Sequence, residues 1–150
     1  MAEFTYNPVQ TVLANQPVVL STTIGCQKGY VLHRPESGIV TLRGAVNNPC
    51  ANFARYQVTF NANIAVPETG TAGPIAVALS IDGEPVLTSR AIVTPAAVDE
   101  YFNVTSTAII TVPRGCCFNV SVENVTEPVG TAAAQSINVQ NANMTVTRIA

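Results

Sequence analysis

Apolar and polar residues alternate with a period of two along almost the whole chain, a pattern that strands satisfy and helices cannot. From Arg55 onward, Tyr56, Val58, Phe60, Ala62, Ile64 and Val66 fall on one face, with Gln57, Thr59, Asn61 and Asn63 on the other. Successive strand side chains point to opposite sides, so this segment has one buried face and one uncharged polar face. Next, Ile75, Val77, Leu79 and Ile81 alternate with Ala76, Ala78 and Ser80. Asp82-Gly83 separates that run from Glu84-Pro85-Val86-Leu87. A type I′ turn needs positive φ at both central residues, which Asp-Gly tolerates, so a hairpin is predicted there. Pro85 has no N–H to give a ladder and predicts an edge.

The later segments repeat the pattern. Phe102, Val104, Ala108, Ile110 and Val112 share one parity, and Pro113-Arg114-Gly115 ends the run. Another strand is predicted from Cys116 to Val122, with Cys116, Phe118, Val120 and Val122 facing inward, and a last one from about Gln135 to Arg148. In that last strand Ile137 and Val139 are odd whereas Met144 and Val146 are even, so a bulge is predicted near Gln140-Asn141. Shorter candidates are 18–22, 30–33 and 39–43. About eight to ten strands with turns every ten or so residues predict an all-β antiparallel jelly-roll sandwich. At 150 residues the chain makes one domain. The jelly roll is assigned to 26–150. Residues 1–25 are either its first strand or an N-terminal arm that docks onto a neighbour, because Pro8 and Pro17 interrupt pairing there. Phe4, Tyr6, Val9 and Val12 are the candidate arm contacts.

Charged residues are only 11% of the chain, against about 25% in ordinary soluble domains. Thr, Asn, Gln and Ala stand in their place. A net charge of −2, a single lysine (Lys28) and isolated arginines exclude a nucleic-acid binder, which needs clustered cations. No apolar run approaches the ~18 residues of a membrane span. Polar strand faces this poor in charge suit a surface covered by copies of the same chain, since exposed monomer surfaces carry more Lys and Glu.

Catalytic patterns are missing. The one histidine, His33, stands in a turn-like stretch up to Gly38 and reads as a solvated loop side chain. Ser37 has no nucleophile elbow around it. Asp99 and Glu100 are adjacent and point to opposite faces, so they make no acid–base pair. No cofactor or metal motif is present. Four Asn-x-Ser/Thr sequons, at Asn103, Asn119, Asn124 and Asn143, are what Thr-rich strands produce by chance. The four cysteines, Cys26, Cys50, Cys116 and Cys117, fit no zinc spacing. They are either buried thiols packing as small hydrophobes or cross-links within or between subunits. Cys117, opposite in parity to Cys116, is the better candidate for an intersubunit bond.

Four stretches carry a resemblance: 37–44 (SGIVTLRG), 55–60 (RYQVTF), 79–86 (LSIDGEPV) and the closing 143–150 (NMTVTRIA). With them the segment from about Gly38 to Ala150 resembles the trimeric jelly roll shared by complement- and tumour-necrosis-factor-like domains. It is more closely similar to the heads of bacterial collagen-like spore-surface glycoproteins and to small proteins encoded by phages of gut Firmicutes. Two departures are the missing Gly-X-Y stalk and the vicinal Cys116-Cys117 pair. The resemblance implies a non-enzymatic homotrimer without cofactors, displayed on a particle surface. The first expectation is a phage capsid decoration or head-fibre-like protein, with a capsid shell or neighbouring trimers as partners. One alternative is a self-assembling spore-surface or extracellular filament subunit whose arm inserts into the next trimer. Another is a carbohydrate- or receptor-binding module, with Tyr101 as the aromatic to test. Residues 1–8 show neither a basic region nor an apolar one, so the virion or the spore or extracellular surface is expected to be reached without a signal peptide.

Overall fold

The computed structural model describes residues 1–25, 29–46 and 48–150. Alternation resolves into two six-stranded antiparallel sheets whose inner faces share one core. The first sheet runs β10 (Phe102–Pro113), β6 (Phe53–Ala65), β12 (Ile137–Arg148), β1 (Ala2–Tyr6), β3 (Thr22–Ile24), with β2 (Gln10–Val12) also paired to β12. The second runs β4 (Val31–His33), β5 (Val40–Arg43), β11 (Cys117–Asn124), β7 (Ile75–Ile81), β8 (Glu84–Pro85), with β9 (Ala91–Val93) on β7. Helix among the described residues is limited to a 3₁₀ turn at Leu87–Ser89. The twelve strands among the described residues exceed the eight to ten expected because pieces of two or three residues, such as β2, β8 and β9, pair on their own.

The long strands follow their parity. Tyr56, Val58, Phe60 and Ile64 of β6 are buried, as are Val104, Ile110 and Val112 of β10. Asp82 (φ 51°) and Gly83 (φ 84°) make the predicted hairpin turn, and β8 with Pro85 is an edge strand. The register of β12 against β6 shifts between Gln140 and Asn143, where Asn141 takes φ 55°. That is the predicted bulge.

Four local expectations are corrected. Residues 18–21 hold one isolated bridge, at Leu20, with another just ahead at Pro17, before β3 begins at Thr22. Phe102 has core parity yet is 40% exposed, because it is the first residue of β10 and parity sets direction, not coverage. Cys116 lies ahead of β11 in a turn closed by its own N–H on the Pro113 carbonyl (3.1 Å), so the strand's inward phase never reaches it and it is exposed. His33 is no loop residue: it ends β4 and is 8% exposed. Its Nε2 donates to the Ser37 carbonyl at 3.0 Å, and its Nδ1 is hydrogen-bonded to the Thr23 hydroxyl at 2.9 Å. The ring packs on Phe4, 4.7 Å between centroids.

Residues 1–25 supply β1, β2 and β3 to the first sheet of the same chain. Among the candidate arm contacts, Phe4 and Val12 are in this core, Tyr6 is half-buried and Val9 is exposed.

Tyr56 ties the sheets together. It is fully buried, and its hydroxyl donates to the Arg43 carbonyl, with the Tyr30 carbonyl at 3.3 Å. Burial pushes its phenol above the usual range, with Arg148 pulling part of the way back. The neutral form is therefore favoured in the fold, and its stabilisation is complete below the unfolded value of about 10 and lost as pH rises through the higher folded value. Tyr56→Phe should unfold more easily at pH 7 by about 1–2 kcal/mol. It should also lose less stability than the wild type between pH 9.5 and 11.5, read from urea midpoints; equal alkaline losses would refute the assignment.

Candidate assembly face

Odd-numbered positions of β6 and β10 point away from the core, as do Asn143, Thr145 and Thr147 after the β12 bulge. Apart from Phe53, Arg55, Ala65, Ile109 and Pro113, they form one broad outward face of Asn, Gln and Thr. Strand pairing brings these side chains opposite one another, close enough to bond across strands. Thr59 faces Thr107, hydroxyl to hydroxyl at 2.8 Å. Asn103 donates its amide to Asn61 at 2.7 Å and to Asn63 at 3.1 Å. Asn63 donates to Asn141 at 3.3 Å, and Asn141 in turn donates to Asn7. Asn143 donates to Glu3 on β1, and Thr11 to Asn138 at 2.9 Å. Apart from the Glu3 carboxylate, the face is thus a pre-ordered net of neutral donors and acceptors, costing little side-chain entropy when covered.

Charges sit at its margins. Arg55 stacks on the Phe53 ring at 4.8 Å and Arg148 on the Tyr30 ring at 4.2 Å, so both guanidinium groups have neighbours. Ile109 of β10, 65% exposed, stands on this face. Tyr101, the aromatic singled out from the sequence, is 36% exposed just ahead of β10, and Phe102, of core parity, turns to the other side of the sheet.

A likeness between this double sheet and solved structures follows from the strand order. The globular domain of zebrafish complement 1qA protein superposes with a TM-score of 0.62 at 14% identity, covering 97% of this chain and 92% of that one. The Eiger TNF of S. frugiperda superposes at 0.65 with 11% identity, covering 100% and 92%. The fold is the complement and TNF jelly roll. No protein-family model matches the chain, and no curated protein matches it in sequence. At such identities the jelly roll is shared and nothing finer follows from the likeness.

On this jelly roll the cysteines stand apart from the amide face. Cys50, Cys116 and Cys117 are exposed free thiols, not the buried packing residues that were one of the two readings. They gather at one end of the sandwich. The Gly44 N–H donates to the Cys116 carbonyl (2.9 Å), Cys117 pairs with Arg43, and Arg114 reaches from the same turn to the Pro49 carbonyl (3.2 Å). Cys26 lies outside the described residues. Among the described residues no group of three His, Cys, Asp or Glu side chains is placed to hold a metal. Sequence reasoning found the polar faces but missed their hydrogen-bond net, for which strand register was needed. It also missed Glu123, which is buried on the outer side of the other sheet.

Proposed function

We propose that this chain is a non-enzymatic structural module that assembles as a homotrimer through the amide-and-hydroxyl face and is displayed on a particle surface, as a phage capsid decoration or head-fibre-like protein. The observation that carries the reading is the outward face of β6, β10 and β12, which spends its polar groups on one another and bears scarcely any charge. Such a surface pays little desolvation when a copy covers it. Ile109 and Phe53, both exposed on the same face, supply apolar area for an interface core. The resemblance to small phage proteins and spore-surface heads supports display on a particle.

The test is solution mass. Sedimentation equilibrium of the purified chain should give three subunits. Thr59→Arg combined with Thr107→Arg should give one subunit with an unchanged far-ultraviolet spectrum, because facing cations at the seam repel. A wild-type monomer, or an intact trimer in the double variant, would remove this face from assembly.

A second reading, a self-assembling spore-surface or extracellular filament, draws on the three exposed thiols at one end. Pairs of thiols on neighbouring trimers, each pair losing two protons and two electrons to an oxidant such as dioxygen, would lock end-to-end contacts, with the N-terminal strands exchanged between neighbours. Negative-stain images separate the two. Discrete particles favour decoration, and filaments that dissolve in reductant favour the locked appendage.

A further inference from the structure

The outer side of the second sheet holds an anion that its own chain leaves half satisfied. Glu123 on β11 is 7% exposed. Its Oε1 accepts one hydrogen bond, from the Ser80 hydroxyl at 3.0 Å. Ser80, having spent its proton, accepts in turn from the Ser121 hydroxyl at 2.7 Å. The two serines are directly opposite in the β11–β7 ladder. Among the described residues no other donor reaches the Glu123 carboxylate and no cation pairs with it. The second carboxylate oxygen is not fully buried and opens onto the cleft, within reach of a positive donor.

The surroundings state what kind. Glu123 lines an open cleft of about 290 Å³ together with Ser121, Asn119, Asp82, Pro17 and Ile39. Asp82 accepts the Asn119 N–H through Oδ1 at 3.0 Å, so a second carboxylate is fixed on the same cleft. Neither lysine, arginine nor histidine lines it. Strand spacing separates Asn119 from Glu123 by about 13 Å along β11, so Asp82, held opposite Asn119, and Glu123 mark separate stations of one acidic groove. Pro17 and Ile39 offer apolar surface beside these acceptors. Apolar wall plus buried acid matches an alkyl stem ending in an ammonium group.

We propose that this cleft binds a primary alkylammonium group, seated on Glu123 and Ser121 with its carbon stem against Pro17 and Ile39. The inference does not rest on the trimer and concerns the opposite sheet. The source of the group, a lysine side chain of a partner protein or a free amine, is left to the probes.

Amide chemical shifts of the full chain would be followed during titration with Nα-acetyl-lysine amide, with cadaverine, and with the Nα,Nε-diacetylated lysine amide as the uncharged control. Saturable shifts at Asp82, Ser121 and Glu123 are expected with the first two and none with the control. A lysine source predicts tighter binding of the lysine amide, a free-amine source tighter binding of cadaverine. Glu123→Gln keeps the acceptor for Ser80 and should weaken binding about tenfold or more, the loss expected for one charge-assisted bond. Its melting temperature should stay at or above the wild-type value. Should that variant not fold, Asp82→Asn, which suits the positive φ of that turn, should weaken binding about threefold. Absence of saturable shifts, an equal response to the diacetylated control, or a response to calcium chloride alone would overturn the proposal.

Discussion

Phe60→Ala should lower the unfolding free energy by about 4 kcal/mol, within the roughly 3–5 kcal/mol typical of emptying a buried phenylalanine site. Phe60 is in the middle of β6, between Ser106 of β10 and Met144 of β12, and is fully buried in the core that both sheets share. Its neighbours are held in paired strands and cannot collapse into the void, so both the transfer loss and the cavity cost apply. Phe102→Ala supplies the contrast. Although of the same parity, it is 40% exposed at the start of β10 and should cost less than about 1.5 kcal/mol. Urea midpoints at one protein concentration would measure both, because association shifts apparent stability. Equal losses at the two positions would mean that β6 and β10 are out of the register described.

Asn124→Ala should be nearly as damaging, at about 4 kcal/mol, though it removes no apolar surface. Asn124 is fully buried at the end of β11. Its side-chain amide donates to the Val12 carbonyl at 3.1 Å and the Gln135 carbonyl at 3.0 Å, and its oxygen accepts the Thr126 N–H at 3.0 Å. Its backbone N–H donates to Gln16, and its carbonyl accepts from Asn15. Alanine would remove the side-chain partner of three backbone groups, two buried and one half-buried, each loss costing roughly 1–3 kcal/mol. Hydrogen exchange should show early opening of residues 12–18 and 135–137 in the variant. Exchange unchanged from wild type, or a loss under about 1.5 kcal/mol, would mean that water replaces the amide and the lock is not there.

Legibility in the sequence tracked strand length. Strands β6, β7, β10 and β12 are long enough for a period of two to be read without neighbours, and the Asp82-Gly83 turn and the Gln140-Asn141 bulge follow from local backbone chemistry. The short strands β2 and β3 were blurred because three residues define no period and tertiary pairing makes them strands, whereas β4 lies within the candidate 30–33. The same limit hid His33, whose burial depends on Phe4 from a segment 29 residues earlier. Asn124 and Thr126 form one of the sequons, yet both side chains are buried in hydrogen bonds and unavailable to an enzyme that modifies surface asparagines. Glu123 was unreadable for a related reason. Its parity directs it outward, and what covers it is the 15–18 segment crossing beside β11, with Val18 N–H on the Val122 carbonyl at 2.7 Å. The amide face was legible as composition but not as a site, since cross-strand bonds such as Asn103 to Asn61 exist only once register is fixed.

Arg55 and Glu3 are the only formal charges on the outward positions of β1, β6, β10 and β12, so dissolved ions find almost nothing there to screen. Between 0.01 M and 1 M salt the Debye length shrinks from about 30 Å to about 3 Å, a change that dissolves complexes built on ion pairs. Contact through neutral amides and hydroxyls is indifferent to that range. Its solvent enemy is instead a competing amide such as urea, which offers the same donors and acceptors in solution. An assembly joined by this surface would hold together in low salt and brine alike.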